Sequence, residues 1–405
     1  MSPRRERAVL AAAALLVLGA TALAPSVVAA PVPPPGRVVP DLDPFYAAPA
    51  TIAGYAPGQV VGSRRVAAWT FGGPLVVTAW QLSYRTNDSH DQPELAVTTL
   101  VVPNAPWTGP GLRPAVSVQA AEDSTGMQCA PSYELATGTD LADPAQAGSL
   151  LAAGYAVAVP DHEGPRSVFL AGPQAGHAVL DGIRAVRNFG RGGIGPATPW
   201  ALDGYSGGAN ATGWAAELHP SYAPELPIVG AAMGGTPAAP APIARALDGG
   251  PAAGLELAAA ASIATEWPEA GIADLLTPGG TAAFAAIRGK CAEQLVLEHG
   301  FESLADYTTV PDPLEVPSVK RVLDLDTLGA AAPTMPIYDY HALEDEIVPV
   351  AQDDALVADW CRQGAVVTVD RDHGEHGTET VLRYPSVHLW LADRFAGRPP
   401  RNDCA

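Results

Sequence analysis

After an opening hairpin, the sequence alternates between short β-branched runs and stretches of helical periodicity, and this alternation constrains the fold most strongly. Two runs of alternating polarity, 74–84 and 94–103, flank a turn at 86–88 and predict the hairpin. Beyond it we expect strands at 113–120, 155–160, 200–203, 227–232, 335–340 and 365–369, and helices at 146–154, 176–188, 207–218, 351–362 and 378–395. The pattern predicts an α/β fold, with a mostly parallel sheet covered by helices on both faces.

One long segment interrupts this alternation. Residues 236–328 are rich in Ala and show almost no strand pattern. They predict an inserted helical cap, or lid, on a core formed by 31–235 and 329–405. Because ligands bind beyond the carboxyl ends of the strands in such sheets, we expect the cap to cover the binding site. The polar, Pro-interrupted stretch 38–65 is expected to form an arm on the surface of the core.

The N-terminus has the organisation of an export signal. Basic residues at positions 4, 5 and 7 precede an apolar stretch at 8–24, and small residues follow at 28–30. This order predicts a signal peptide over 1–30 and a secreted, extracellular protein. A membrane anchor is the alternative, but the apolar stretch is short and Pro25 interrupts its end. No second long apolar run follows, so no integral membrane segment is expected after cleavage.

Charge and cysteine content narrow the classes of function. The formal net charge of −20 argues against nucleic acid as a partner, because its phosphates would be repelled. Four cysteines are present without a C-x-x-C pair, which argues against a zinc or thioredoxin-like site: Cys129, Cys291, Cys361 and Cys404. In an exported protein an even number of cysteines predicts two disulfide bonds, for which three pairings are possible. Free buried thiols are the alternative.

The segment Gly204, Tyr205, Ser206, Gly207, Gly208 fits the G-x-S-x-G pattern and lies between a predicted strand and a predicted helix. This is the context of a nucleophile elbow, a turn so tight that glycines must flank the serine. The start of the following helix directs backbone N–H groups toward a developing oxyanion. We therefore predict that Ser206 is the nucleophile of a serine hydrolase. A solvated serine in a glycine-rich turn is the alternative.

A serine nucleophile needs a histidine base and a carboxylate that orients the histidine. In an elbow fold the acid follows the serine and precedes the base. The predicted strand at 335–340 is followed by Glu344, Asp345 and Glu346, and we favour Asp345 because the Ile-Val-Pro sequence shortly after it would hold its loop. The last predicted strand is followed by His373 and His376. We favour His376 as the base because it is nearer to the closing helix, and His373 is the alternative.

A serine hydrolase site also needs a second backbone N–H group that donates a hydrogen bond to the oxyanion. It is expected from the loop at 119–126, where a backbone donor near Asp123 is a candidate that spacing does not single out. A metal site is not expected, because Asp161, His162 and Glu163 lack an H-E-x-x-H or similar spacing. The serine mechanism requires no cofactor.

Several ordered segments, which run from about 43 to 404, carry a resemblance to a known family. They are 129–133 (CAPSY), 161–164 (DHEG), 181–185 (DGIRA), 204–208 (GYSGG), 221–226 (SYAPEL), 234–237 (GGTP) and 345–349 (DEIVP). Together they resemble the secretory lipase family of the α/β-hydrolase superfamily. The resemblance implies the α/β-hydrolase fold and a triacylglycerol lipase or esterase with a helical cap and lid.

The resemblance also implies roles for individual residues. It implies a catalytic triad of Ser206, Asp345 and His376, and an oxyanion hole formed by Asp123 and Gly207. The four cysteines are implied to form the pairs Cys129–Cys291 and Cys361–Cys404.

Three functions are compatible with these observations. The favoured one is a secreted, monomeric serine lipase or esterase that hydrolyses carboxylic (acylglycerol) esters, with an ester or lipid substrate presented at a lipid–water interface. The second is a hydrolase of another acyl bond, in a polyester or a peptide. The third is a non-catalytic binding protein on a hydrolase scaffold. Because serine, acid and base all follow in the expected order, the first two are favoured over the third.

Overall fold

The computed structural model describes residues 38–70, 73–139 and 144–404, so the predicted signal peptide at 1–30 lies outside the described residues. The strands are β1 (Val60–Val66), β2 (Trp69–Thr70), β3 (Gly73–Pro74), β4 (Val77–Asn87), β5 (Pro93–Pro103), β6 (Ala115–Gln119), β7 (Ala156–Pro160), β8 (Trp200–Tyr205), β9 (Ile228–Gly234), β10 (Ile337–Ala342) and β11 (Val367–Asp372). The α-helices are α1 (Pro131–Thr137), α2 (Pro144–Ala152), α3 (Gly172–Phe189), α4 (Gly207–Tyr222), α5 (Pro240–Leu247), α6 (Ala253–Glu266), α7 (Ile272–Leu275), α8 (Pro278–Ala286), α9 (Ala292–His299), α10 (Leu304–Tyr307), α11 (Pro317–Leu325), α12 (Val350–Arg362) and α13 (His376–Phe395). Within these ranges, none of the helices is both long and apolar enough to cross a membrane.

Nine of the described strands form one twisted sheet in the order β1-β4-β5-β7-β6-β8-β9-β10-β11. The first three, β1, β4 and β5, run antiparallel to their neighbours. The other six are parallel to one another. The predicted α/β fold with a mostly parallel sheet is therefore confirmed, and the carboxyl ends of β6, β8, β9, β10 and β11 meet at one edge.

Each strand supplies side chains to two apolar layers, because successive residues of a strand point to opposite faces of the sheet. On one face, Leu202 of β8 packs in a cluster with Val179 of α3 and Trp360 of α12. On the other face, Tyr205 of β8 packs in a cluster with Leu391 of α13. Helices cover both faces, as predicted, and the six residues of β8 are buried throughout.

The segment 236–328 contains helices α5 to α11. Among the described residues, its β-type pairing is limited to one isolated bridge between Leu276 and Thr308. It has apolar clusters of its own, one around Trp267 and one around Leu295. Both clusters include side chains of the loop at 168–171, which precedes α3 in the core. The helical segment is therefore packed on the core through this loop.

The N-terminal stretch departs from expectation in its last part. Residues 40–54 form three short 3₁₀ turns, but Val60–Val66 is an edge strand that pairs with β4. The predicted surface arm is therefore wrong from Val60 onward. An edge strand forms backbone hydrogen bonds with a neighbouring strand on one side only, and it tolerates charged side chains. Arg64 is satisfied by Asp43 at 2.5 Å and by Gln81 at 2.7 Å, so its charge does not oppose strand formation.

Two disulfide bonds are formed, Cys129–Cys291 and Cys361–Cys404, and no free cysteine is found in the described residues. The first joins the segment after β6 to the residue that precedes α9, so it ties the helical segment 236–328 to the core. The second joins the end of α12 to the C-terminal residues. The disulfide prediction is confirmed with the pairing that the family resemblance implied.

We expect the Cys129–Cys291 bond to contribute strongly to stability, because it closes a loop with a sequence separation of 162. Replacing both cysteines with Ala should lower the free energy of unfolding by about 5 kcal/mol, since the unfolded chain regains the entropy of that loop. The measurement is urea unfolding followed by tryptophan fluorescence. The matched variant without Cys361–Cys404, which spans 43 residues, should lose about 4 kcal/mol. A loss below about 1 kcal/mol for the first pair would contradict the expectation.

Candidate active site

Ser206 lies in a strained turn between β8 and α4. Its backbone φ is 54° and its ψ is −126°, a conformation that costs energy for any residue except glycine. The turn is possible because its neighbours lack side chains: a Cβ atom on Gly204 would overlap the carbonyl oxygen of Gly208, and one on Gly208 would overlap that of Gln119. The backbone N–H of Ser206 donates to the carbonyl of Gly234 at 2.9 Å. The geometry is that of a nucleophile elbow.

His376 and Asp345 lie in line with the serine. The Oγ of Ser206 is 2.9 Å from Nε2 of His376, and Nδ1 of His376 is 2.7 Å from Oδ2 of Asp345. With its proton on Nδ1, His376 donates to Asp345 and accepts from the serine hydroxyl. Asp345 follows β10 and His376 begins α13 just after β11, so three segments at one sheet edge supply the three groups. The structure brings together the three residues selected from the sequence.

The alternative acids and base are placed differently. His373 is exposed and its Nδ1 lies 2.7 Å from Oε1 of Glu344, away from the serine. Glu346 accepts a hydrogen bond from the backbone N–H of His376 at 3.1 Å, so it holds the loop rather than the imidazole ring. Of the three adjacent acids, Asp345 is the one whose carboxylate faces His376.

Asp345 is buried, yet its surroundings favour the charged form. Its Oδ1 accepts hydrogen bonds from the backbone N–H groups of Ile347 at 3.0 Å and Val348 at 2.7 Å. Burial by itself raises the pKa of the carboxyl, but hydrogen bonds from His341 and His376 hold the pKa of Asp345 well below its usual range. The carboxylate can therefore orient His376 across the neutral range of pH.

His341, the fifth residue of β10, lies directly behind Asp345. Its Nε2 is 2.9 Å from the carbonyl of Val348 and 3.3 Å from Oδ2 of Asp345, and its Nδ1 is 3.0 Å from Oδ2 of Asp353. Burial lowers the pKa of this imidazole, but its hydrogen bonds to Asp345 and Asp353 dominate and raise the pKa to about 10. His341 is therefore an imidazolium held between two carboxylates.

Further charges continue this row away from the serine. Arg371 of β11 contacts Oδ2 of Asp353 at 3.0 Å and Oδ1 of Asp339 at 2.6 Å. Charges of opposite sign thus alternate from Asp345 through His341 and Asp353 to Arg371, which satisfies groups that would be costly to bury alone. The sequence signal for this arrangement is the position of His341 near the end of β10, four residues before Asp345.

The predicted oxyanion residues lie beside the elbow. Gly207 is the first residue of α4, and Asp123, in the loop after β6, has a φ of 37°. The two are adjacent, since a Cβ atom on Gly207 would overlap Oδ1 of Asp123. Burial raises the pKa of the Asp123 carboxyl to about 6, against the effect of the His376 charge. The loop is held by Glu163, which accepts from the N–H of Ser124 at 3.1 Å and from its hydroxyl at 3.0 Å.

A narrow cavity bordered by Ser206, Gly207 and Asp123 extends into the helical segment 236–328. Phe169 and Leu170 of the core line it, and the rest of its wall is almost wholly apolar. Much of that wall comes from α5 to α11: Pro240, Ile243, Leu255, Ala259, Ala260, Ile263, Ile272, Leu276, Phe284, Leu304, Val319 and Leu323. Such a cavity suits an alkyl chain.

Among the described residues, Asp88, His90 and Glu266 form a group whose ligand atoms are close enough to hold a metal ion. The same side chains already have protein partners. His90 faces Glu269 at 3.0 Å, and Glu266 is bound by Arg166 at 2.5 Å. We therefore assign this group, of which Glu266 is buried, to structural hydrogen bonding and ion pairing rather than to the site around Ser206.

The fold and the elbow define an α/β-hydrolase, and the sequence places it within that class. The sequence profile of the secretory lipase family matches residues 133–403. Several relatives exceed 30% identity over most of the chain. The chain therefore belongs to the secretory lipase family, as the ordered segments had indicated.

Three comparisons illustrate this membership. A protein of Mycobacterium tuberculosis (strain CDC 1551 / Oshkosh) described as a probable inactive lipase is 37% identical over 377 residues, which is 89% of this chain and 84% of that protein. A secreted triacylglycerol lipase of Malassezia restricta is 34% identical over 381 residues, 89% of this chain and 80% of its own. The crystal structure of Candida antarctica lipase A in its closed state superposes with a TM-score of 0.85 at 34% identity, covering 90% of this chain and 88% of that one.

The cation behind Asp345 leads to a prediction about pH dependence. Replacing His341 with Asn removes the positive charge that lies beside Asp345. The negative charge of Asp345 then acts on His376 without this opposing cation, so the protonated form of His376 becomes more stable. The acidic limb of the kcat/KM profile should then move to higher pH by about 0.5 to 1 unit, measured on a short p-nitrophenyl ester.

A control separates this electrostatic effect from a general loss of structure. His219 is also buried, and its Nε2 is 3.0 Å from the carbonyl oxygen of Leu226. It lies near the C-terminal end of α4, away from Ser206. His219→Asn should leave the position of the limb unchanged. If His341→Asn lowers kcat/KM by the same factor at every pH, His341 does not act through its charge.

Proposed function

We propose that the chain is a secreted lipase or esterase that hydrolyses carboxylic esters, acylglycerols among them, through an acyl-enzyme on Ser206. The observation that carries this proposal is the row of contacts from Ser206 to His376 at 2.9 Å and from His376 to Asp345 at 2.7 Å. Such a row supplies a nucleophile, a base and an orienting carboxylate in contact with one another. Membership of the secretory lipase family supports the same activity.

In the first half of the reaction, the Oγ of Ser206 attacks the ester carbonyl carbon while Nε2 of His376 takes the hydroxyl proton. The carbonyl oxygen becomes an oxyanion, for which the backbone N–H groups of Gly207 and Asp123 are the proposed donors. His376 then returns the proton to the leaving alcohol oxygen, and the acyl group remains on Ser206. Asp345 stabilises the imidazolium throughout.

In the second half, water takes the place of the alcohol. His376 removes a proton from this water as it attacks the acyl carbonyl, and a second tetrahedral intermediate forms at the same oxyanion site. Its collapse breaks the bond to Ser206, which recovers its proton from His376, and the free acid leaves. The residues present complete the cycle without a metal or an organic cofactor.

The helical segment 236–328 is proposed to be the cap that admits the acyl chain. Its support is the cavity at Ser206, whose apolar wall comes largely from this segment. An apolar cavity of this kind favours fatty acyl esters over peptides, which carry backbone polar groups that would remain unpaired there. Export through the signal peptide at 1–30, action at a lipid–water interface and a monomeric state complete the proposal.

The relative described as a probable inactive lipase makes a non-catalytic role the second candidate. In this chain, however, serine, histidine and aspartate are all present and in hydrogen-bond contact. We therefore expect turnover.

A panel of p-nitrophenyl esters with two to sixteen acyl carbons, together with an emulsified triglyceride, tests whether the protein hydrolyses esters. Ser206→Ala should lower kcat by at least about a thousandfold on every substrate that the wild type hydrolyses. Equal rates for the two proteins would refute the proposal.

The two neighbouring histidines provide a matched pair for assigning the base. His376→Ala should lower kcat by a similar factor to the serine variant, because the hydroxyl proton then has no acceptor. His373→Ala removes an exposed ring that contacts Glu344 and should leave kcat within about twofold of the wild type. The opposite pattern in the same esterase assay would show that the base has been misassigned.

A further inference from the structure

The part of the cavity wall that the helical segment supplies contains one ionisable residue, Glu256, and one hydroxyl, that of Thr308, which already donates to backbone carbonyls. Glu256 of α6 is 5% exposed and lines the cavity that Ser206 and Gly207 border. It also lines, together with Leu304, a smaller cavity on the other side, so these two residues lie between the two spaces. Glu256 is therefore a buried residue at a boundary of the substrate cavity.

This carboxyl has no hydrogen-bond partner among the described residues; burial and the negative charge of Asp248 are what act on it. Burial first, and Asp248 second, raise the pKa of Glu256 to about 8. At neutral pH the group is thus mainly the neutral acid, which can donate one hydrogen bond and accept others. Its hydrogen-bonding capacity is unused by the protein.

Glu256 lies in the first turn of α6, where a negative charge is favourable, but its place on the cavity wall is not explained by this. The neighbouring cavity-lining residues of α6, Leu255, Ala259, Ala260 and Ile263, are all apolar. A buried polar group without a partner destabilises a protein relative to an apolar group of similar size. The carboxyl therefore suggests a partner that the protein itself lacks.

The substrate can supply that partner. A plain alkyl chain in the cavity removes water from the Glu256 carboxyl and returns no hydrogen bond, which weakens its binding. A chain with a hydroxyl group at the right carbon restores the hydrogen bond. Sites built to bond a substrate hydroxyl discriminate strongly against analogues that lack it, because their own polar groups are then left unpaired.

We propose that Glu256 binds a hydroxyl group on the acyl chain, so that esters of hydroxylated fatty acids are preferred over their unsubstituted counterparts. This inference rests on the proposed ester hydrolysis at Ser206. It adds the chemical class of acyl group that the cavity takes, and it makes Glu256 a residue that determines specificity.

A hydroxyl scan tests the proposal. p-Nitrophenyl esters of dodecanoic and octadecanoic acids, each with one hydroxyl at successive positions or with none, are compared by kcat/KM at neutral pH. For at least one position the wild type should favour the hydroxylated ester over its parent by roughly three- to tenfold, the range expected from one net hydrogen bond. Glu256→Gln, which still bonds a hydroxyl, should keep this ratio. Glu256→Leu should bring it to about one or below.

The ratio is measured within each protein, so it is insensitive to the amount of active enzyme. Glu315→Leu makes the same change on the exposed side of the helical segment and should keep the wild-type ratio. Thermal unfolding adds a second measurement, because Glu256→Leu should be at least as stable as the wild type. If Glu256→Leu does not yield folded protein, Glu256→Met is measured in its place.

The possible failures are distinguishable. If hydrolysis depends on Ser206 but no hydroxyl position is preferred, or if Glu256→Leu keeps the preference, the role of Glu256 is refuted and the proposed function stands. If Ser206→Ala hydrolyses these esters as fast as the wild type, the proposed function itself is refuted.

Discussion

The strained turn at Ser206 is the constraint on which the rest of the site depends. A non-glycine residue with a φ of 54° persists because the surrounding contacts leave it no alternative. Gly208 packs against the carbonyl of Gln119 at the end of β6, so the elbow and the loop after β6 are held together. Since β6 lies beside β8 in the parallel sheet, this contact brings Asp123 next to Gly207. The geometry around Ser206 is thus a consequence of strand order.

A second dependence concerns buried charge. Asp345 has no exposed side-chain surface, and an isolated carboxylate in such a place would take up a proton. Two backbone N–H groups and the cation at His341 prevent this, and His341 is in turn held by Asp353. Each charge is stabilised by its neighbour. His376, the proposed base, therefore relies on groups that extend through β10, α12 and β11 rather than on one carboxylate.

The helical segment 236–328 follows a different principle. Its wall around the cavity is apolar, it packs on the core loop at 168–171, and one disulfide bond ties it to the segment after β6. Nearly every side chain in that wall is apolar or has a hydrogen-bond partner, and Glu256 is the exception. Departures from the rules of burial concentrate at sites of function, and the proposed contact between Glu256 and substrate follows from this.

The sequence by itself determined the alternation of strands and helices, the glycine pattern around Ser206, and the order in which Asp345 and His376 follow it. These features are local, because strand periodicity and turn chemistry depend on neighbours along the chain. Only the tertiary structure decided that Val60–Val66 joins the sheet, that His341 lies behind Asp345, and that Glu256 lines the cavity of Ser206. Each of these three depends on a contact between segments from different elements, and no local pattern encodes which segments will meet.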